Sequence, residues 1–281
     1  MSALLETMHD APAANAGNAS GVLEIRGISK SYPDRSAVAN RGNAPEIPAL
    51  LPVDLVAEPG EFVTIVGPSG CGKSTLFSII AGLEEPSAGQ VVIDGVDHTA
   101  ESGLVGYMLQ KDMLLPWRTV LNNVILGLEI QGVPREASVA AARPLLERYG
   151  LGKYEHAKPA QLSGGMKQRA ALLRTLLFNR QIMLLDEPFG ALDAQTRLQM
   201  QLWLLDVQAT FKKTIVFVTH DIDEAVFLSD RIYVMKGHPG SVAEVIDVDI
   251  PRPRTADVAG TPRFVELREH VRRLLMTAEE V

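Results

Sequence analysis

A glycine-rich run in the first third of the chain reads Gly67-Pro68-Ser69-Gly70-Cys71-Gly72-Lys73-Ser74-Thr75. It follows residues 61–66, whose β-branched and apolar side chains predict a buried strand, and it leads into a predicted helix over residues 74–81. Glycines between a strand and a helix let backbone N–H groups surround a phosphate at the positive end of the helix dipole. The pattern predicts a nucleoside triphosphate site, with Lys73 on the β- and γ-phosphates and Ser74 on Mg²⁺.

Two adjacent carboxylates, Asp186 and Glu187, follow a second apolar stretch at residues 181–185. Open α/β sheets bind ligands at the carboxyl ends of their strands, so we expect both side chains at the phosphate site. Asp186 is predicted to hold Mg²⁺ through water, and Glu187 to polarise the attacking water as a general base. The alternative is that these acidic residues end a strand merely because solvent begins there.

A third motif reads Leu162-Ser163-Gly164-Gly165-Met166-Lys167-Gln168-Arg169 and opens a predicted helix over residues 165–178. A hydroxyl, unpaired backbone amides and a helix N-terminus together make a second phosphate-binding device. A chain with two such devices either binds two phosphates or shares one site between two copies. An ordinary capped helix after a glycine turn is the competing interpretation.

Taken together, the three motifs resemble those of ABC ATPases, and the third resembles the ABC signature motif. The resemblance extends over about residues 23–254 and implies roles for further residues. Tyr32 would stack on adenine, and Gln110 would touch both Mg²⁺ and the attacking water. His220 would reach the γ-phosphate, and Asp193, in Ala191-Leu192-Asp193, would contact the opposite subunit.

The same resemblance implies a mechanism that uses ATP and Mg²⁺ as cofactors. Two copies would meet head to tail, with each ATP between the Lys73 loop of one copy and Ser163-Gly164-Gly165 of the other. The ATP-binding residues would then be Tyr32 and the whole glycine-rich run, completed in trans by the third motif from Leu162 to Gln168. Hydrolysis would remove the phosphate that bridges the copies, and the dimer would open.

The predicted fold class is α/β, a P-loop nucleotide-binding core with an N-terminal antiparallel β-subdomain and an inserted helical subdomain. Residues 1–20 are predicted to be a disordered tail, residues 21–250 the ATPase domain with its helical inset at about 112–178, and residues 251–281 a short extension. A helical stripe, Phe264, Leu267, Val271, Leu274 and Leu275, predicts that the extension packs on the parent domain. We further predict a surface loop over residues 32–49, a strand over residues 103–108 and a helix over residues 120–131.

The net charge of −7, from 27 basic and 34 acidic residues, argues against a broad nucleic-acid-binding surface. No apolar run approaches the roughly 18 to 20 residues of a membrane-spanning helix, so other chains would have to cross the membrane. The only cysteine, Cys71, excludes an internal disulfide. We expect Cys71 to pack inside the loop without a catalytic role, and a bulky thiol reagent to inhibit unless ATP protects.

Three further stretches, residues 111–120, 218–226 and 248–254, resemble the importer subfamily that handles nitrate, sulfonates, taurine and related compounds. That resemblance implies integral membrane permease subunits as partners and, indirectly, a solute-binding protein. It also implies a peripheral location on the cytoplasmic side of the inner membrane. Trp117 is either an exposed anchor for a partner helix or a cap on the core of the helical lobe.

A soluble ABC ATPase of nucleic-acid repair or translation is the alternative function. Three observations argue against this alternative. The chain holds a single ATPase unit, it has no sustained heptad run of the kind that forms a coiled coil, and its net charge is negative. A P-loop kinase would not need the Ser163 motif. Thr175 departs from the family pattern, and so does the irregular stretch over residues 35–47.

Overall fold

The apolar stretches predicted as buried strands lie in one six-stranded sheet. The structure, a computed structural model, describes residues 21–34, 45–190 and 192–276. The strands are β1 Leu23–Pro33, β2 Glu46–Ala57, β3 Phe62–Val66, β4 Ala88–Ile93, β5 Val96–Asp97, β6 Gly106–Met108, β7 Ile182–Asp186, β8 Thr214–Thr219, β9 Arg231–Lys236 and β10 Ser241–Asp247. The helices are α1 Lys73–Ile80, α2 Val120–Val124, α3 Leu126–Ile130, α4 Arg135–Arg148, α5 Gly164–Leu177, α6 Ala194–Phe211, α7 Ile222–Leu228 and α8 Pro262–Met276.

The six-stranded sheet has the order β10-β9-β3-β8-β7-β6, and every neighbouring pair except β10–β9 is parallel. A second sheet, β2-β1-β4-β5, is wholly antiparallel. The α/β fold class predicted from the sequence is confirmed, including its antiparallel sheet. Among the described helices none combines the length and the apolar character needed to cross a membrane.

Both faces of the six-stranded sheet are buried, each against a different part of the chain. Along β8, Ile215 and Phe217 join the core cluster shared with the helices, whereas Val216 and Val218 join the cluster shared with the antiparallel sheet. The alternation follows from the two-residue period of a strand. It explains why this strand is apolar at every position from Ile215 to Val218, as strands buried on both faces are.

The helices α2 to α5 pack together on one face of the six-stranded sheet. Asn123, fully buried in α2, ties the preceding loop to this helix, since its amide oxygen accepts from Leu115 N and its amide nitrogen donates to Leu115 O. Trp117 lies in that loop and is 69% exposed. The interpretation of Trp117 as a cap on the helical core is therefore wrong.

Three element boundaries differ from the sequence predictions. Strand pairing places Tyr32 of β1 opposite Ile47 of β2, so both ends of the predicted loop over residues 32–49 are strands. The prolines in this stretch hid the strand β2 from the sequence prediction. The strand tolerates prolines because it lies at the edge of its sheet.

The helix predicted over residues 120–131 is divided at Ile125 into α2 and α3, and Gly127, a poor helix former, follows the division. The strand predicted over residues 103–108 is confined to β6, and the tail at residues 1–20 lies outside the described residues.

Helix α8 packs on α7 and β9 through Phe264, Leu267 and Val271, as its apolar stripe predicts. Arg254, 4% exposed, precedes it and donates to the main-chain carbonyls of Val226, Phe227, Ser229, Val248 and Ile250. These bonds compensate the buried charge and join the segment that precedes α8 to α7 and to the residues that follow β10. Sequence inspection assigned Arg254 no such role.

Lys213 is a second buried cation, 4% exposed, where the chain enters β8. Its ammonium donates to Asn179 Oδ1 at 3.1 Å and to Gln181 Oε1 at 3.2 Å. Both partners are neutral amides, so its charge is solvated only by dipoles. Burial lowers the pKa of Lys213 from 10.5 to about 8.

This shift predicts a pH-dependent stability. Between about pH 8 and 10.5 the unfolded chain holds a proton on Lys213 that the folded chain has released, so the free energy of unfolding should rise with pH. The rise expected from this group is about 3 kcal/mol across the window. Urea unfolding of the wild type and Lys213→Met at several pH values measures it as a difference. Parallel pH profiles for the two proteins would contradict the assignment.

Candidate nucleotide site

The glycine-rich run leaves the end of β3 and turns into α1, whose first residue is Lys73. Lys73 is 6% exposed, and its ammonium donates to Gly67 O and Pro68 O, both at 2.8 Å. Gly72 precedes the helix with φ 91°, a conformation that favours glycine, and no side chain caps the helix. The N–H groups of the first turn are therefore open to an anion.

The loop is held from behind by the turn between β9 and β10. A Cβ atom at Gly240 would overlap the Cys71 carbonyl, so only glycine permits this close approach. The Cys71 thiol is fully buried, whereas Ser69, Gly70 and Ser74 are exposed. The loop thus presents its outer side to solvent as a concave cradle, which suits a polyphosphate.

Burial changes the prediction for Cys71. It raises the pKa of the thiol above its usual range, although Lys73 acts against that rise. We now expect N-ethylmaleimide to react with the folded protein at pH 7.5 at less than about one tenth of the rate for the urea-unfolded chain. Mass spectrometry of timed aliquots measures both rates. Equal rates would show that the thiol is accessible in the folded protein. The inhibition by a bulky thiol reagent that the sequence led us to expect requires that accessibility.

Asp186 ends β7 beside the loop and is 6% exposed. Burial, followed by the charge of Glu187, raises the pKa of Asp186, and a hydrogen bond with the Ser74 hydroxyl opposes the rise. A buried carboxylate next to a hydroxyl offers the oxygen ligands that Mg²⁺ prefers. The residues present therefore fit a magnesium ion between α1 and β7.

Glu187 lies where three strand ends meet. The pairings Leu185–Met108 and Asp186–Val218 bring the carboxyl ends of β6, β7 and β8 to one edge. Glu187 Oε2 accepts from Gln110 Nε2 at 3.0 Å and lies 3.3 Å from His220 Nδ1. Its φ of 45° is unfavourable for a non-glycine residue, and such strain concentrates at functional sites. Three predicted site residues, Glu187, Gln110 and His220, are thus brought together.

Tyr32 approaches the same loop from the antiparallel sheet. Its hydroxyl interacts with Glu84 and Thr75, and burial together with Glu84 raises its pKa. The ring is 38% exposed, and Lys30 Nζ lies 5.2 Å from the ring centroid. An exposed aromatic face beside Thr75 is suited to stacking on a base.

The third motif forms the start of α5. Ser163 caps the helix, and its hydroxyl accepts from Met166 N at 3.4 Å. Ser163 and Gly164 are exposed, while Leu162 and Gln168 point inward with 7% exposure each. Within the described parts of the chain, no hydrogen bond or ion pair joins this motif to the Lys73 loop.

Asp193 caps α6 in the same way and accepts from Thr196 N at 3.0 Å. Hydrogen bonds from the backbone N–H and the hydroxyl of Thr196 lower the pKa of the Asp193 carboxyl. The two caps are neighbours, since a Cβ atom at Gly165 would stand 3.2 Å from Thr196 Cγ2. Ala191, of the predicted Ala191-Leu192-Asp193 contact, lies outside the described residues.

A buried polar layer behind His220 escaped the sequence analysis. Glu224 is 5% exposed and accepts from Thr219 Oγ1 at 2.7 Å and from Gln201 Nε2 at 3.2 Å. Arg197 pairs with Asp221 at 3.3 Å. Asp221 and Glu224 stand three positions apart at the start of α7, a capping pattern that could have identified them.

Comparisons with known proteins agree with this geometry. The family model described as ABC transporter matches residues 50–190. The uncharacterized ABC transporter ATP-binding protein MJ0412 of Methanocaldococcus jannaschii is 44% identical over 233 residues, which cover 83% of this chain and 86% of that protein. The taurine import ATP-binding protein TauB of Pseudomonas fluorescens is 40% identical over 255 residues, covering 89% and 93%.

Two solved structures of the ATP-binding cassette MJ0796 superpose on the chain. The dimeric structure, described as a bacterial ABC transporter cassette, gives a TM-score of 0.71 at 33% identity and covers 82% of this chain and 100% of that one. The second, a post-hydrolysis state bound to ADP and Pi, gives 0.68 at 32% identity with the same coverage. The chain therefore belongs to the ABC transporter family as an ATP-binding subunit with ATPase activity.

Proposed function

We propose that this chain hydrolyses ATP to drive an importer, moving a small solute through a separate membrane permease. The observation that carries the proposal is the pair of anion-binding helix starts, at Lys73 and at Ser163, that no described contact joins. Relatives named taurine import ATP-binding proteins support import. The subfamily resemblance of residues 111–120, 218–226 and 248–254 suggests nitrate, a sulfonate, taurine or a related compound as the solute.

In this proposal the glycine-rich loop holds the triphosphate of ATP. Lys73 neutralises the β- and γ-phosphates, and the N–H groups of the loop bind their oxygens. Tyr32 stacks on adenine at the rim, beside Thr75. Ser74, Gln110 and, through water, Asp186 would hold Mg²⁺. That ion would neutralise charge developing on the phosphates.

Glu187 is the proposed general base. Gln110 Nε2 and His220 Nδ1, at 3.0 Å and 3.3 Å, orient one of its carboxylate oxygens and leave the side chain 19% exposed to an incoming water. His220 is exposed and can turn to the γ-phosphate. Gln110 and Glu187 are already in contact before ATP binds, which is preorganisation of this part of the site.

The third motif acts on a second copy. Ser163 and Gly164 are exposed at the start of α5, so they can close over the γ-phosphate of ATP bound to a partner. Asp193, adjacent to this motif, would touch the same partner. The dimeric structure of the MJ0796 cassette supports self-association, to which this proposal adds the head-to-tail order.

Replacing Glu187 tests the base. Glu187→Gln removes the carboxylate but keeps its shape, so ATPase activity should fall by about 100-fold or more while ATP binding persists. Closed dimers should accumulate with ATP, and light scattering after gel filtration should show twice the monomer mass. Glu136→Gln, an exposed change on α4, serves as the control. Hydrolysis by Glu187→Gln at the wild-type rate would contradict the assignment.

The permease contact is assigned to an exposed apolar patch defined by Leu83, Met113, Trp117 and Ile130, which are 56% to 72% exposed. Large apolar side chains this exposed commonly mark protein interfaces. Leu83 and Ile130 line one surface cavity, and Arg174, which also lines it, donates to the Met113 carbonyl. Such a contact with the permease would hold the chain at the periphery of the inner membrane.

Co-purification tests the permease contact and, with it, the role in membrane transport. A tagged chain should bring its permease subunits out of detergent-extracted membranes, and Trp117→Ala should reduce that recovery at least about fivefold, because Trp is a frequent interface anchor. Val96→Ala, 55% exposed in β5, is the matched control. Equal thermal unfolding midpoints would show that both variants fold. Recovery of nucleic acid in place of a permease would favour the alternative function in repair or translation.

A further inference from the structure

Arg197 lies in the first turn of α6, outside the residues 50–190 that the family model matches. Its guanidinium bridges two segments that are distant in sequence. Nη2 donates to the Leu192 carbonyl at 3.1 Å, and Nη1 donates to Asp221 Oδ2 at 3.3 Å. Leu192 is 5% exposed and provides a fixed end, whereas Asp221 caps α7. The planar guanidinium makes both contacts at once, which the single ammonium of a lysine cannot reproduce.

The same side chain faces a buried carboxylate, that of Glu224. Arg197 Nε lies 3.8 Å from Glu224 Oε1 and is itself buried, with no hydrogen-bond partner among the described residues. Burial raises the pKa of Glu224, and a hydrogen bond from Thr219 and the charge of Arg197 act against that rise. Arg197 thus stabilises the ionised form of a carboxylate that packing has removed from water.

Asp221 and Glu224 hold the backbone on both sides of His220. Thr219 Oγ1 donates to Glu224 Oε2 at 2.7 Å and accepts from the Asp221 N–H at 3.0 Å. Asp221 Oδ1 also accepts from the Glu224 N–H at 3.2 Å. The side chain of His220 is 62% exposed, so packing does not orient it. Its place 3.3 Å from Glu187 therefore depends on the backbone that these neighbours hold.

We propose that Arg197 is a positioning residue for His220. By holding Asp221 and balancing the charge of Glu224, it fixes where the imidazole stands relative to Glu187. Among the described residues no hydrogen bond or ion pair joins Arg197 to Glu187 or to the glycine-rich loop, so it acts through His220. The effect on hydrolysis rests on the proposed role of His220 at the γ-phosphate, whereas the effect on the place of the imidazole does not.

ATP hydrolysis by the full-length protein, followed with radiolabelled ATP to resolve slow rates, tests the proposal. Arg197→Met should lower kcat about tenfold and change the KM for ATP less than about twofold, because Arg197 orients a hydrolytic group and does not bind ATP. In a His220→Ala background the same change should lower the rate less than about twofold, since no imidazole remains to be positioned. Arg148→Met removes an arginine that pairs with Asp206 of α6, and this matched control should keep the wild-type kcat.

A spectrum of the nucleotide-free protein reports on the imidazole without any need for hydrolysis. The chain has six histidines, and His220→Gln identifies the His220 ring signal in a ¹H–¹³C spectrum. Arg197→Met should move that signal and leave the other histidine signals in place. Arg197→Lys keeps the charge but not the two-point contact, so it should move the signal as well. Arg148→Met should leave the His220 signal unmoved.

An unmoved His220 signal in Arg197→Met or Arg197→Lys would overturn the proposal. If His220→Ala lowers the rate, equal fold-losses from Arg197→Met in the wild-type and His220→Ala backgrounds would overturn it too, because a general loss of folding lowers both rates alike. Wild-type hydrolysis by His220→Ala would instead refute the proposed role of His220, and a moved signal would still support the positioning. The two failures are therefore distinguishable.

Discussion

The buried ammonium of Lys73, held by the carbonyl oxygens of Gly67 and Pro68, is the constraint on which the nucleotide site depends. A buried cation must be compensated, so the loop has to curve back over its own lysine. That curvature requires Gly72 at φ 91° and brings the loop against Gly240, where no side chain fits. The loop is consequently rigid before any ligand binds, and rigidity reduces the entropy lost on binding.

Strand order determines what surrounds this loop. β3 lies between β9 and β8, and β7 and β6 follow, so four parallel strands deliver their carboxyl ends to one edge. The loop, Asp186 with Glu187, His220 and Gln110 each follow one of these ends. None of them is close to another in sequence, except the two acidic neighbours. Both faces of the sheet are packed, which prevents any strand from slipping and moving its terminal side chain.

The helical segment serves a different purpose. It carries the Ser163 motif on the start of α5, exposed and separate from the Lys73 loop, and it carries the exposed Trp117. Helices α5 and α6 meet at their N-termini, where Gly165 stands against Thr196.

By itself, the sequence determined the family, the α/β class and the identity of the phosphate loop, because these depend on local patterns. Glycine spacing, β-branched runs and helix caps act over a few residues and need no tertiary context. Only the tertiary structure decided which distant residues meet. The Glu187–Gln110–His220 cluster joins residues 33 to 77 positions apart, and Arg254 reaches the carbonyl oxygens of Val226, Phe227 and Ser229, 25 to 28 positions away. Such contacts follow from strand order and helix packing, and single-sequence periodicity does not encode them. For the same reason the edge strand β2 was read as a loop, since its prolines are tolerable only at a sheet edge.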